Sequence, residues 1–142
     1  MRVARKRSVL REGVIAVELA VLLPFLMFVA AIGVDFARIF SRTVILETAS
    51  RNGAIYASYE PAKSTDTAGI QAVVLKDCTD ISPTPTVTSS TYTGTDGFSY
   101  VKVTVKYTFT TVMKFPGVPN SKVLSRTTDM RICPIYPKPG TY

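Results

Sequence analysis

The run Val14–Val34 (VIAVELAVLLPFLMFVAAIGV) constrains this chain more than any other feature, because 18 of its 21 positions are apolar. As an α-helix it extends about 30 Å, the thickness of a bilayer's hydrocarbon layer. A helix that is apolar on every side needs either lipid or a large protein around it. Only 84 residues follow Ser58, too few to wrap such a helix as a core element, so the run is expected to span a membrane. Ala31-Ile32-Gly33 also offers small residues where a secretory signal is cut. The apolar core of such a signal is about 7–15 residues, however, and this run is longer and carries a carboxylate. A span is the better reading.

Charge sets its direction. Arg2, Arg5, Lys6, Arg7 and Arg11 precede the run with one acid, Glu12, which is +4 of the chain's formal +7. Beyond the run, Arg38 and Arg42 are accompanied by Asp35 and Glu47. The Lys/Arg excess belongs on the cytoplasmic side, so the N-terminus is expected there and everything past residue 35 across the membrane. Because more than half of the positive charge is this arm, it does not describe a nucleic-acid-binding face.

Glu18 sits four residues inside the run. An ionisable group deep in a bilayer costs about 2.5 kcal/mol or more, and from about 6 Å of helical depth it either snorkels to the headgroups or has a partner. Gly13 suggests the partner. A basic arm, a glycine, then Val14-Ile15-Ala16-Val17-Glu18 resembles the type IV prepilin signature. Glycine lets a peptidase approach the backbone closely, and cleavage after Gly13 would leave an ammonium on Val14 one turn from the Glu18 carboxylate. In a bundle of such helices the carboxylate can pair with the amine of a displaced neighbour, turning two isolated charges into one pair.

The N-terminal third is similar to the TadE-like family, pseudopilins of the tight-adherence (Flp-type) pilus and secretion system. Arg11, Gly13, Ala16-Val17-Glu18, Leu19-Ala20, Leu22-Leu23-Pro24, Asp35-Phe36 and Arg38 carry the resemblance, with Ala49-Ser50-Arg51-Asn52-Gly53-Ala54-Ile55-Tyr56-Ala57 further on. It covers residues 11–57; Glu12, beside the presumed cut, departs from the basic or small residue common there. The resemblance implies a minor pilin-like role in pilus assembly at the bacterial inner membrane, without catalysis. It implies a prepilin peptidase, other pilins or pseudopilins, and inner-membrane assembly proteins as partners. The alternative is an uncut, membrane-anchored exported domain.

The expected organisation is a basic leader (1–13), a span (14–34), a helical continuation (35–58) and a small exported domain (59–142). Pro24 removes a backbone donor inside the span and is expected to kink it. Phe36, Ile39, Phe40, Leu46, Ala49, Gly53 and Tyr56 read as one inward stripe, and Glu47–Arg51 as an i,i+4 ion pair. No breaker appears before Pro61.

In the exported domain, Asp66 or Thr67 is expected to cap a short helix through Lys76, with Ile70, Val73 and Val74 inward. Thr86–Tyr92 reads as an edge strand after Pro83 and Pro85, and Thr93–Gly97 as a turn whose two glycines supply positive φ. Tyr100–Phe109 alternates strictly, with Val101, Val103, Val105, Tyr107 and Phe109 on one face. Phe115–Asn120 breaks the chain and Lys122–Cys133 returns as a third strand. The predicted fold class is α+β: a long pilin-like helix packed on a small antiparallel sheet. The apolar segment Met113–Val118 reads as a tucked turn.

Two cysteines, Cys78 and Cys133, are expected to form a disulfide if the domain is exported. That bridge would close a loop of about 55 residues, worth about 4 kcal/mol by chain entropy. With no histidine, no phosphate cradle around Gly94 and Gly97, and only Asp77 and Asp80 as a loop acid pair, the inventory offers no catalytic, metal or cofactor site and no small-molecule substrate. Lys102, Lys106, Lys122, Arg126 and Arg131 are expected on a solvated sheet face.

Overall fold

The structure, a computed structural model, describes residues 5–111 and 120–133, with side chains placed from Gly13 onward. Met113–Val118 lies outside the described residues. Two compact units divide the chain, residues 1–37 and 38–142. One helix, α1 (Arg5–Ser58), belongs to both and is continuous through Pro24. It starts inside the basic arm, earlier than the Val14 start that the sequence suggested.

In the first unit the α1 side chains from Gly13 onward are mostly exposed. Val14, Val17, Val21, Phe25, Met27 and Val34 are each about 60% exposed or more. The helix is apolar around its whole circumference, and its most apolar window is 0% buried. Such a surface is stable in lipid and not in water.

The second unit contains the rest of α1, the short helices α2 (Pro61–Ser64) and α3 (Thr67–Asp77), and the strands β1 (Thr86–Thr93), β2 (Ser99–Thr110) and β3 (Ser121–Arg131). The strands form one antiparallel sheet in the order β1-β2-β3. This is the α+β architecture the sequence predicted. Alternation in β2 is realised as read: Val101, Val103, Val105, Tyr107 and Phe109 are buried, while Lys102, Lys106 and Thr108 are exposed.

The core lies between this face and Leu46, Ala49, Ala54 and Ala57 of α1, with Ile70 and Val74 of α3. Small residues permit the close approach. A Cβ on Gly53 would stand 2.5 Å from Val74 Cγ2, so α3 crosses α1 where only glycine fits. The Ser50 hydroxyl, fully buried, is satisfied by the Thr128 hydroxyl of β3 at 2.8 Å and by the Glu47 carbonyl at 2.9 Å. At the end of α1 the Ser58 carbonyl, an orphan of helix termination, accepts from the Cys133 N–H at 2.8 Å.

Asp66 caps α3, its carboxylate accepting from the Gly69 N–H at 2.9 Å and from the Tyr56 hydroxyl at 2.9 Å. At the β1–β2 turn only Gly97 has positive φ (79°). Gly94, expected to share that role, is instead required by crowding: a Cβ there would meet the Tyr100 ring at 2.7 Å.

The inward stripe of α1 differs from its sequence reading. Leu46, Ala49, Gly53 and half-buried Tyr56 do pack, and Ile39 is half-buried, but Phe36 and Phe40 are 72% and 66% exposed. At about 100° per residue, Phe40 lies about 120° from Leu46 around the helix, so the three-and-four spacing conceals a drift onto the opposite face. The sheet basics also divide. Lys102, Lys106 and Arg131 lie on the outer face, whereas Lys122 pairs in register with inward Phe109, and Arg126 reaches Glu47 of α1 at 3.8 Å.

Candidate membrane-spanning and processing segment

Gly13, Val14, Glu18 and Pro24 all lie on α1 in the first unit. Val14 is 58% exposed, Glu18 is exposed, and a Cβ at Gly13 would meet nothing within 4 Å. From Val14 to Glu18 the helix rises about 6 Å and turns slightly more than once. The two residues therefore share a side, and the carboxylate stands one turn above the position a new amine would occupy. Pro24 leaves the Ala20 carbonyl without its i+4 donor, an acceptor in the middle of the apolar run.

Cys78 and Cys133 are not brought together. The expected bridge is absent: both thiols are free, Cys78 buried and Cys133 exposed. The reason is topological. Cys133 hangs from the end of α1 at Ser58. Cys78 ends α3, whose start is tied to Tyr56 and whose last residue, Asp77, accepts from Asn52 at 2.7 Å. The two cysteines are thus held at different points of α1, Cys78 beside Asn52 and Cys133 at Ser58, whereas a disulfide needs Cα atoms within roughly 4.4–6.8 Å. Burial, with the Asp77 charge beside it, raises the Cys78 thiol pKa and keeps it protonated.

The acid pair is exposed, and only Asp77 uses its carboxylate in a described hydrogen bond. Asp77 is bonded to Asn52, and the Asp80 carbonyl accepts from Arg42 at 3.0 Å. Among the described residues no group of three or more His, Cys, Asp or Glu side chains is placed to hold a metal ion.

Glu47–Arg51 forms at 3.8 Å as the spacing predicted. Sequence reasoning missed its third member, Arg126, and missed the Ser50–Thr128 contact. Both span more than seventy residues, and nothing local signals them.

A known family's pattern begins and ends on this segment. The family model described as TadE-like protein matches residues 13–54, starting at the glycine that precedes the apolar run and stopping on the packed part of α1. Residues 13–54 are similar to the TadE-like family. TadE-like proteins are structural and associated with the Tad pilus, working with assembly components at a membrane, and a single long apolar N-terminal helix fits a single-pass anchor. Neither a curated protein nor a solved structure matches the chain. The TadE-like match includes Glu18, Pro24, the small residues Ala49 and Gly53, and the exposed Phe36 and Phe40, and leaves out the whole sheet.

Proposed function

We propose that this chain is a minor pilin-like subunit, a pseudopilin, needed to assemble a tight-adherence (Flp-type) pilus or its secretion apparatus. In this reading a prepilin peptidase cuts between Gly13 and Val14. The supporting observation is the coincidence at one helix start: a family match that opens on Gly13, four apolar residues, Glu18, and a lipid-length helix apolar on every side. The leader stays cytoplasmic through its five basic residues, and the second unit is exported to the periplasmic side of the inner membrane.

The chemistry follows from the geometry. The Gly13–Val14 bond lies within a helical stretch, so a peptidase must first unwind it. Glycine eases this, since it is about 1 kcal/mol poorer than alanine in a helix. Cleavage frees an ammonium on Val14. The Glu18 carboxylate, stranded in apolar surroundings, then gains most by pairing with the corresponding ammonium of a neighbouring helix, which fixes register as well as contact. Pro24 supplies a point where the helix can bend as it leaves lipid for a bundle.

Replacing Glu18 with Gln tests this reading. Assembly of the apparatus should fail while membrane insertion and protein level persist. Unimpaired assembly favours the second reading, an uncut single-span anchor for an exported binding domain. One observation speaks for that reading: the scissile bond is helical in the intact chain.

A further inference from the structure

The helix-facing side of the sheet changes character at one end. Its inward positions on β2 run Phe109, Tyr107, Val105, Val103 and Val101, all buried, and then Ser99. Thr93 pairs with Ser99 and Thr91 with Val101, so their side chains share that face. Three hydroxyls thus stand where the core pattern would continue with apolar residues. α2 borders them: Pro61 and Ser64 join Thr91, Thr93, Ser99 and Ile132 around a cleft of about 260 Å³. Tyr92 completes the lining, its ring stacked on Tyr100 at 5.5 Å. The hydroxyls of Thr91, Thr93 and Ser99 have no hydrogen-bond partner among the described residues. Ser64, 7% exposed, donates to the Pro61 carbonyl at 2.7 Å and keeps its oxygen as an acceptor.

We propose that this cleft binds one neutral pyranose unit of a glycan chain. None of its lining residues is charged, so a phosphate, carboxylate or ammonium group would lose water there without finding a counter-charge. An apolar ligand is equally unsuited, since it would strip water from four hydroxyls and give them no partner. A sugar ring answers both parts of the surface. Its hydroxyls donate and accept, as those of Thr91, Thr93 and Ser99 do, and its C–H faces can lie on Pro61 and Ile132. Size agrees as well. Drug-sized ligands occupy pockets of about 300–1,000 Å³, and this smaller cleft admits a single ring. Thr91, Thr93 and Ser99 are exposed, so the neighbours of that ring in a chain can remain outside. The strand ends are pinned before any ligand arrives: the Gly94 N–H donates to the Phe98 carbonyl at 2.8 Å and the Ile132 N–H to the Ser99 carbonyl at 2.9 Å. The cleft lies entirely in the second unit, and the inference goes beyond the assembly role without depending on it.

Saturation-transfer NMR on the full-length chain in phosphatidylcholine nanodiscs, which carry no sugar, tests the proposal. The probes are the methyl glycosides of glucose, galactose, mannose, N-acetylglucosamine and N-acetylgalactosamine, whose blocked anomeric oxygen stands in for a chain. At least one is expected to bind, with a millimolar Kd. Thr91→Val and Thr93→Val keep the branched shape and the strand preference. Each should weaken that binding about 2- to 12-fold, the loss of one neutral hydrogen bond. Ser99→Phe should abolish it by filling the cleft, and Thr108→Val on the outer face should leave it unchanged. Protection of Cys78 from maleimide in each variant shows that the fold is kept. No saturation transfer from any of the glycosides would overturn the proposal. So would binding that Thr91→Val and Thr93→Val both leave untouched, tighter binding of glucuronate or glucosamine than of the neutral glycosides, or binding of the free sugars alone. Every one of these outcomes reads the same whether the chain begins at Met1 or at Val14, so the assembly role stands or falls separately.

Discussion

Asp66 ties two helices with one carboxylate: it accepts from the Gly69 N–H that opens α3 and from the Tyr56 hydroxyl of α1. These two donors, the backbone one first, hold its pKa below the usual carboxylate range. A group whose folded pKa is depressed adds stability above its unfolded pKa, and that stability is lost as pH falls through the folded value. Acidification from about pH 5 should therefore lower the unfolding temperature of the detergent-solubilised chain, and Asp66→Asn should flatten this acid slope. Asp96, held down in the same sense by the Tyr100 hydroxyl and the Phe98 N–H, contributes to the slope that remains. An unchanged slope in Asp66→Asn would contradict the assignment. Gly53 offers a second residue-scale test. Its missing Cβ makes room for Val74, so Gly53→Ala should lose about 1–3 kcal/mol to overpacking against a helix-propensity gain of about 1 kcal/mol. The loss should shrink in a Val74→Ala background, as thermal or denaturant unfolding of the four chains would show.

Among the elements, β2 is the one that most directly joins sequence to core. Phe109, 1% exposed and under the Arg38 guanidinium at 5.2 Å, should cost about 3–5 kcal/mol when cut to Ala. Its neighbour Thr108, on the outer face, should cost within about 0.5 kcal/mol. Equal costs would mean that the strand's two faces are misassigned. That contrast was legible in the sequence because period-2 alternation from Tyr100 to Phe109 is local and unambiguous. The capped α3 was legible for the same reason, Asp66 standing immediately before an apolar-periodic run. The face of α1 was not. Apolar residues occur on both its sides, and a list of three-and-four intervals joined Phe36 and Phe40 to Leu46 although they diverge around the helix. Gly94 was misread because a glycine needed for crowding looks the same in sequence as one needed for positive φ. The Ser50–Thr128 and Glu47–Arg126 contacts depend on how α1 lies over β3, which no window of sequence reveals.

At the scale of the whole molecule, two units of opposite character share one helix. Residues 14–34 are largely apolar and exposed, whereas the second unit encloses a conventional core in which, among the described residues, the buried polar side chains are satisfied. The free thiols belong to this scale, because a bridge would need the far end of α3 to meet the end of α1. Intact mass should accordingly be the same before and after reduction. Maleimide should label Cys133 readily in the native chain and Cys78 only on unfolding, since burial raises the Cys78 pKa. The same helix that leaves Gly13 and Glu18 at the head of a lipid-length run underlies the central claim, that a new amine at Val14 is made and then used. N-terminal sequencing of the protein recovered from the membranes of its own host measures this directly. The account predicts a chain beginning at Val14; a chain beginning at Met1, with the leader retained, would contradict it.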